Sequence, residues 1–216
     1  MSRKQVFGVM GVSALALIAG SIAIAQPGKD AKDAKGAPPE MQLPPGWTSE
    51  DMQACMQAGI PGEQHAMMSK SVGTWNGKCE MWMAPGMPGS KSECKSVVTS
   101  LMDGRFVQID NKGEMMGQPF HGMGVNGFDN VSGKYVSTWI DNMGTGIMNG
   151  TGELSKDGKV MTWNYTYNCP LTKKPSIMRE VETHSGPDAF RLEMFTNDPK
   201  SGKEYKMMQI DFTRAK

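Results

Sequence analysis

The chain has 216 residues, enough for one domain of ordinary size with extensions. Its 23 Lys and Arg residues balance 22 Asp and Glu residues, and the resulting formal net charge of +1 excludes a broadly basic nucleic-acid-binding protein. Short helical runs and 26 Gly residues argue against an all-helical protein, and the 21 Met residues are unusually many.

The first 25 residues have the features of a secretory signal peptide. Arg3 and Lys4 precede an apolar run from Val6 to Ala25, which ends with small residues at Ala23 and Ala25, as signal peptidase requires. A retained membrane anchor is the alternative, since about twenty apolar residues can span a bilayer. We expect residues 1–25 to be removed, leaving a periplasmic or secreted protein without a stable membrane anchor.

The mature chain is expected to begin with a spacer. Residues 26–46 are small, charged or Pro residues with almost nothing to bury, which is typical of a flexible linker. The folded domain would occupy residues 47–216. At its start, Thr48 and Asp51 have the spacing of a helix capping box, and Pro61–Lys70 is predicted to form a second short helix. Together these helices would form a lid.

Four Cys residues lie in the exported part of the chain. The segments 74–83 and 92–102 flank a Pro- and Gly-rich turn, so a hairpin would place Cys79 nearly opposite Cys94. We predict a Cys79–Cys94 disulfide, with Cys55–Cys169 following by elimination. The alternative is a metal or redox site, although no C-x-x-C motif is present.

After Gly73 the pattern is that of β-strands. Alternation is clearest in 161–168, where Met161, Trp163, Tyr165 and Tyr167 share one face. Turn signals recur at short intervals, giving about ten candidate strands, and an up-and-down run of that many strands best removes its edges by closing into a barrel. The G-x-G-x-x-G match at 122–127 lacks the strand and helix context of a dinucleotide site, and its Gly residues are typical of a strand bulge or barrel bend.

Two ends of this region resemble the calycin (lipocalin-like) arrangement. Gly73-Thr74-Trp75 opens the first strand after a short helix, and Arg214 closes the last strand. The resemblance implies that Trp75 plugs one end of the barrel and that Arg214 packs across it as a cation–π pair. The expected fold is therefore all-β: an antiparallel up-and-down lipocalin-like β-barrel of about ten strands with a short N-terminal helical segment.

A closer resemblance covers roughly residues 65–214. The motifs that carry it are His65, Gly73-Thr74-Trp75, Asp103-Gly104-Arg105-Phe106, Met116-Gly117-Gln118-Pro119-Phe120, Gly127-Phe128-Asp129-Asn130, Trp139–Gly146 and Phe212-Thr213-Arg214. Together they resemble the bacterial family called domain of unknown function 1579. That family commonly has Tyr where Phe128 stands. The resemblance implies the barrel but no catalytic residue and no cofactor.

Candidate ligand-binding residues come from strands expected to be neighbours. They are Trp139, Asp141, Trp163, Tyr165 and His121. A barrel interior lined by aromatic rings with a few polar groups is a reasonable pocket for a small molecule. The alternative for the aromatic residues is core packing, and for Asp141 it is a turn cap.

A metal site is a second hypothesis. Thioether and imidazole ligands suit copper, and the candidates are His121, Met123, Met81 and Met83. Alternatively, Met replaces Leu and Ile as an adaptable core residue, or exposed Met scavenges oxidants. No nucleophile–base pair is evident from spacing, which makes an enzyme less expected.

The sequence therefore predicts an exported, non-catalytic protein that holds a small, partly apolar ligand inside a β-barrel. Copper binding, oxidant scavenging and a structural or interaction role for a filled barrel are the alternatives. This functional prediction follows from the fold class, since no motif identifies the ligand.

Overall fold

The computed structural model describes residues 43–216, and the predicted signal peptide and most of the predicted linker lie outside them. Two short helices come first, α1 at Ser49–Ala58 and α2 at Glu63–Ser69. The predicted capping box is confirmed, since the Asp51 N–H donates to Thr48 Oγ1 over 3.2 Å and the Thr48 N–H to Asp51 Oδ2 over 2.8 Å. Among the described residues, no helix is long and apolar enough to cross a bilayer.

Ten antiparallel strands then close into a barrel. They are β1 Gly73–Met81, β2 Ser90–Leu101, β3 Phe106–Met115, β4 Gln118–Asp129, β5 Lys134–Asp141, β6 Met148–Leu154, β7 Val160–Asn168, β8 Pro175–Gly186, β9 Ala189–Asn197 and β10 Glu204–Arg214. Each strand pairs with its neighbours along the chain, and β1 pairs with β10 to complete the barrel. The predicted number of strands, their direction and the closure are confirmed.

The helices cover one end of the barrel. Asn130, in the β4–β5 turn, donates to the carbonyl oxygens of Ala58 and Ile60 over 3.0 and 2.8 Å. Arg105, in the β2–β3 turn, donates to the Gly59 carbonyl over 3.1 Å. The predicted lid is therefore present at this end, which we call the covered end. The opposite end, formed by the loops 82–89, 116–117, 142–147, 169–174 and 198–203, is called the open end.

Arg214 joins the barrel closure to the chain that leads in from the lid. It lies opposite Trp75 in the β1–β10 pair, and its guanidinium carbon is 4.2 Å from the centre of the indole ring. The same guanidinium donates to the carbonyl oxygens of Lys70 and Val72 and to the Asp188 carboxylate. The predicted pairing of Trp75 with Arg214 is confirmed.

The cysteines require two corrections. In the β1–β2 hairpin Cys94 lies opposite Gly77 and Cys79 opposite Ser92, so the predicted register was wrong by two residues. Cys79 and Cys94 remain on the same face, their thiols unbonded with the Sγ atoms 3.4 Å apart. The pairing of Cys55 with Cys169 is contradicted, because Cys55 lies in α1 at the covered end whereas Cys169 follows β7 at the open end, and both thiols are free.

Candidate ligand-binding interior

Two apolar clusters line the inner wall of the barrel. The first contains Trp75, Met81, Val98, Val107, Met208, Ile210 and Phe212, and the second contains Tyr135, Met161, Trp163, Tyr165 and Met178. Met68, Met194 and Met207 pack against both clusters. Since Met side chains adapt to irregular space, the middle of the barrel is lined by its most deformable residues. Much of the Met surplus thus serves as the interior filler that the sequence offered as an alternative.

Glycines let three large rings lie against the wall. A Cβ atom on Gly150 or Gly152 would come within 2.7 Å of the rings of Tyr165 and Trp163, respectively, and one on Gly124 within 2.9 Å of Trp139. Each ring covers the backbone of the neighbouring strand, at the position where that strand has no side chain. The glycines of the 122–127 motif therefore serve ring packing, and the β4 register runs through them without a bulge, contrary to the expected bulge or bend.

A chain of hydrogen bonds crosses the inner wall from β7 to β4. The Tyr165 hydroxyl lies 2.8 Å from Ser137 Oγ, and Ser137 donates to Asn126 Oδ1 over 2.7 Å. Burial and the charge of Glu180 raise the pKa of Tyr165 above its usual range. The phenol therefore stays protonated and presents a fixed polar atom to the interior.

The side chains of two glutamates lie on the inner face of β8. Glu182 accepts a hydrogen bond from the Trp163 indole N–H over 2.8 Å. Glu180 is opposite Trp163 in the β7–β8 pair and only 7 % exposed, and within residues 43–216 its carboxyl has neither a hydrogen bond nor an ion pair. Burial, followed by the charge of Glu182, raises the pKa of Glu180 well above its ordinary value. The charged form of such a carboxyl is costly, because it loses hydration without gaining a partner among the described residues.

Near the open end Asp141 holds Trp139. The Trp139 indole N–H donates to Asp141 Oδ2 over 3.0 Å, and Asp141 Oδ1 accepts from the Met143 N–H over 2.9 Å. The carboxylate thus fixes the ring and caps the following turn, which is the role considered as the alternative to ligand binding.

Solvent reaches parts of the inner wall. Trp75 and Trp163 are buried, whereas the inward rings of Phe120, Trp139 and Tyr167, nearer the open end, and of Phe128 and Phe190, nearer the covered end, are partly exposed. Even Trp163, the most buried of the large side chains described, keeps 2 % of its surface accessible.

The structure brings most of the predicted ligand-binding residues together. Trp139, Asp141, Trp163 and Tyr165 all lie on the inner wall formed by β5 and β7. His121 does not join them, because Phe120 and Gly122 occupy the inward positions on either side of it. The His121 ring lies on the outer face, with Nε2 3.3 Å from Asp110 Oδ2.

The predicted metal ligands are not brought together. Met123 shares the outer face of β4 with His121, whereas Met81 points into the barrel and Met83 is exposed in the loop after β1. The structure therefore contradicts a copper site built from these four residues. Among the described residues, no group of three or more His, Cys, Asp and Glu side chains is arranged to hold a metal ion.

Sequence reasoning missed Glu180, Glu182, Ser137 and Asn126. The signal was ambiguous in β8, where Met178 and Val181 are apolar on opposite faces and the two glutamates flank Val181. The pairing of β8 with Trp163 and Tyr165 of β7 shows which face of β8 points into the barrel, but the sequence alone did not give that register.

A shallow groove of about 810 Å³ lies on the outer face of the barrel, and a smaller depression of about 380 Å³ lies beside the loop 82–89 at the open end. The groove is lined mainly by side chains of both signs, including Lys78, Lys95, Glu93 and Asp211. Long, solvated and mutually compensating charges do not select a ligand, so the candidate site is the interior.

The family described as "Protein of unknown function (DUF1579)" matches residues 60–214. Rv2717c from M. tuberculosis has 14 % sequence identity and a TM-score of 0.54, with coverage of 73 % of this chain and 100 % of that one. The S-type phycobiliprotein lyase CPES from Guillardia theta has 10 % identity and a TM-score of 0.50, with coverage of 74 % and 97 %. At such identities the likeness concerns the fold. No curated protein matches the sequence.

Proposed function

Because this chain belongs to the family "Protein of unknown function (DUF1579)", whose description assigns no activity, we propose a function from its interior: an exported protein that binds a small, partly apolar molecule inside the barrel. Export rests on the signal-peptide pattern of residues 1–25. Binding rests on one observation above all. The inner wall combines aromatic and Met surfaces with a few fixed polar groups, and several of its rings are partly exposed.

The test is native mass spectrometry of the mature protein purified from its own exported compartment, followed by titration with the neutral apolar dye N-phenyl-1-naphthylamine. We expect a bound organic mass, or dye fluorescence that saturates at one site per chain. Metal analysis of the same sample tests copper separately. A bare protein mass together with no dye binding would overturn the proposal.

A matched pair of variants locates the site. Gly150→Ala places a methyl group against the Tyr165 ring, with 2.7 Å to the nearest ring carbons, and must push that ring toward the interior. We expect dye affinity to fall at least tenfold. Gly144→Ala adds the same methyl group where no atom lies within 4 Å, and should leave binding unchanged. Near-ultraviolet circular dichroism would verify that both variants are folded, and equal binding by the two would contradict an interior site.

A further inference from the structure

The charged side chains of the inner wall are acidic. Glu180 and Glu182 face inward from β8 and Asp141 from β5, whereas the Lys and Arg side chains of the strands face outward, apart from Arg214 at the covered end. Arg214 is already engaged by Trp75, Asp188 and three backbone carbonyls. The interior therefore has acidic groups for which the described strands supply no Lys or Arg partner.

Of these three carboxyls, Glu180 is the one without a partner among the described residues. Glu182 and Asp141 each accept an indole N–H, and the Nε2 atom of His184 lies 3.7 Å from Glu182. By contrast, within residues 43–216 no Lys, Arg or His nitrogen lies within 4.0 Å of the Glu180 carboxyl. A nearly buried carboxylate is costly unless it is paired or hydrogen-bonded, so a bound cation would stabilise the ionised form of Glu180.

The rings around Glu180 also favour a cation. Trp163 lies opposite Glu180, and Tyr165, the next inward residue of β7, has its ring centre 6.2 Å from that of Trp163. Aromatic faces carry negative potential and attract organic cations, most strongly where water is excluded. Met178 and Met194 flank the carboxylate in the strand register and supply an apolar surface.

We propose that the ligand is a small organic cation, an amine or quaternary ammonium with an apolar body, whose charge lies between Glu180 and the rings of Trp163 and Tyr165. This inference rests on the proposed function and narrows its ligand class. The apolar body would extend along the Met residues toward Trp139 and the open end. Tyr165 and Ser137 would then hold the polar edge of the ligand.

The test uses three probes of the same size and different charge: 2-naphthylmethylammonium, 2-naphthylmethanol and 2-naphthoate, measured by isothermal titration calorimetry at pH 7. We expect the ammonium to bind at least tenfold more tightly than the alcohol, and the carboxylate to bind most weakly. Glu180→Gln should remove this preference while the affinity for the alcohol stays within twofold. Glu153→Gln, on the exposed outer face of β6, should change none of the three affinities.

The outcomes separate the two proposals. If the alcohol binds as tightly as the ammonium, or Glu180→Gln keeps the preference, the cation inference is overturned and barrel binding stands. If the naphthoate binds most tightly, Glu180 acts as a protonated donor, and the cation inference is again overturned. If none of the probes binds and the protein also lacks a bound organic mass and dye binding, both proposals are overturned.

Discussion

At the scale of single residues, Glu180 is the group of the barrel whose charged form is least favourable. Its carboxyl is buried and has no partner among the described residues, with Glu182 on the same strand and the protonated Tyr165 phenol as its titratable neighbours. Folding therefore favours the protonated acid, because the charged form would lose its hydration without gaining a counter-charge.

The unpartnered carboxyl of Glu180 predicts that the stability of the folded protein depends on pH. The folded-state pKa of Glu180 is raised above its ordinary value of 4.5, so its ionisation destabilises the folded protein increasingly as pH rises above that value. We expect Glu180→Gln to flatten this decline and to raise the unfolding free energy at pH 8 by about 1–3 kcal/mol. Urea unfolding at pH 5, 6, 7 and 8 measures it, with Glu153→Gln as the control. Parallel pH profiles for the wild type and Glu180→Gln would contradict the account.

The sequence located some site residues and missed others for a physical reason. Trp163 and Tyr165 were assigned to one face because residues 161–168 of β7 alternate large and polar side chains. In β4 the inward positions Gly122 and Gly124 are small, since Trp139 covers them. The outward face there has the larger side chains, among them His121, which was expected in the site although it lies outside.

At the scale of elements, the β1–β2 hairpin shows where register prediction fails. The symmetric Pro- and Gly-rich segment suggested a turn centred at Gly86–Met87, but a loop of residues 82–89 joins the strands and Met81 lies opposite Ser90. Short loops of defined turn type fix a register, whereas a longer loop leaves it to side-chain packing. The helices were more predictable, because the capping box acts locally.

The same hairpin predicts a redox-dependent stability. Cys79 and Cys94 share the inner face with their Sγ atoms 3.4 Å apart, so oxidation should join them with little backbone movement. We expect the disulfide to raise the unfolding free energy by about 2–4 kcal/mol. Peptide mass spectrometry without reduction would identify the bond, and denaturation with and without reductant would measure the effect.

Two variants serve as controls. Cys94→Ser should abolish the redox dependence, whereas the double variant Cys55→Ser with Cys169→Ser should retain it. A bond from Cys79 to any other cysteine, or equal stability of the oxidised and reduced proteins, would refute the pairing.

At the scale of the whole molecule, the closed barrel was predictable because ten alternating segments with regular turns favour one solution, a sheet without edges. The arrangement of the inner wall was not predictable, since it depends on which rings pack against glycines in a neighbouring strand. That pairing is a property of the register, which composition and periodicity do not determine.

Closure depends on Arg214, which contacts both edges of the β1–β10 pair and the chain leading in from α2. We expect Arg214→Ala to lower the unfolding free energy by about 2–3 kcal/mol through loss of the cation–π contact and of the hydrogen bonds to backbone carbonyls. Arg191→Ala removes an exposed ion pair with Asp211 and should cost less than about 1 kcal/mol. Guanidinium denaturation compares the two variants, and similar losses would show that Arg214 has no special part in closure.

The strand order also has a consequence for how the molecule assembles and opens. Every strand pairing joins neighbours along the chain except that of β1 with β10, which come from opposite ends of the folded domain. Hairpins can form early at low loop-closure cost, whereas the β1–β10 pair must bring together distant segments. We therefore expect the β1–β10 pair to form last during folding and to separate first in the native protein. Its separation would give transient lateral access to the interior between β1 and β10.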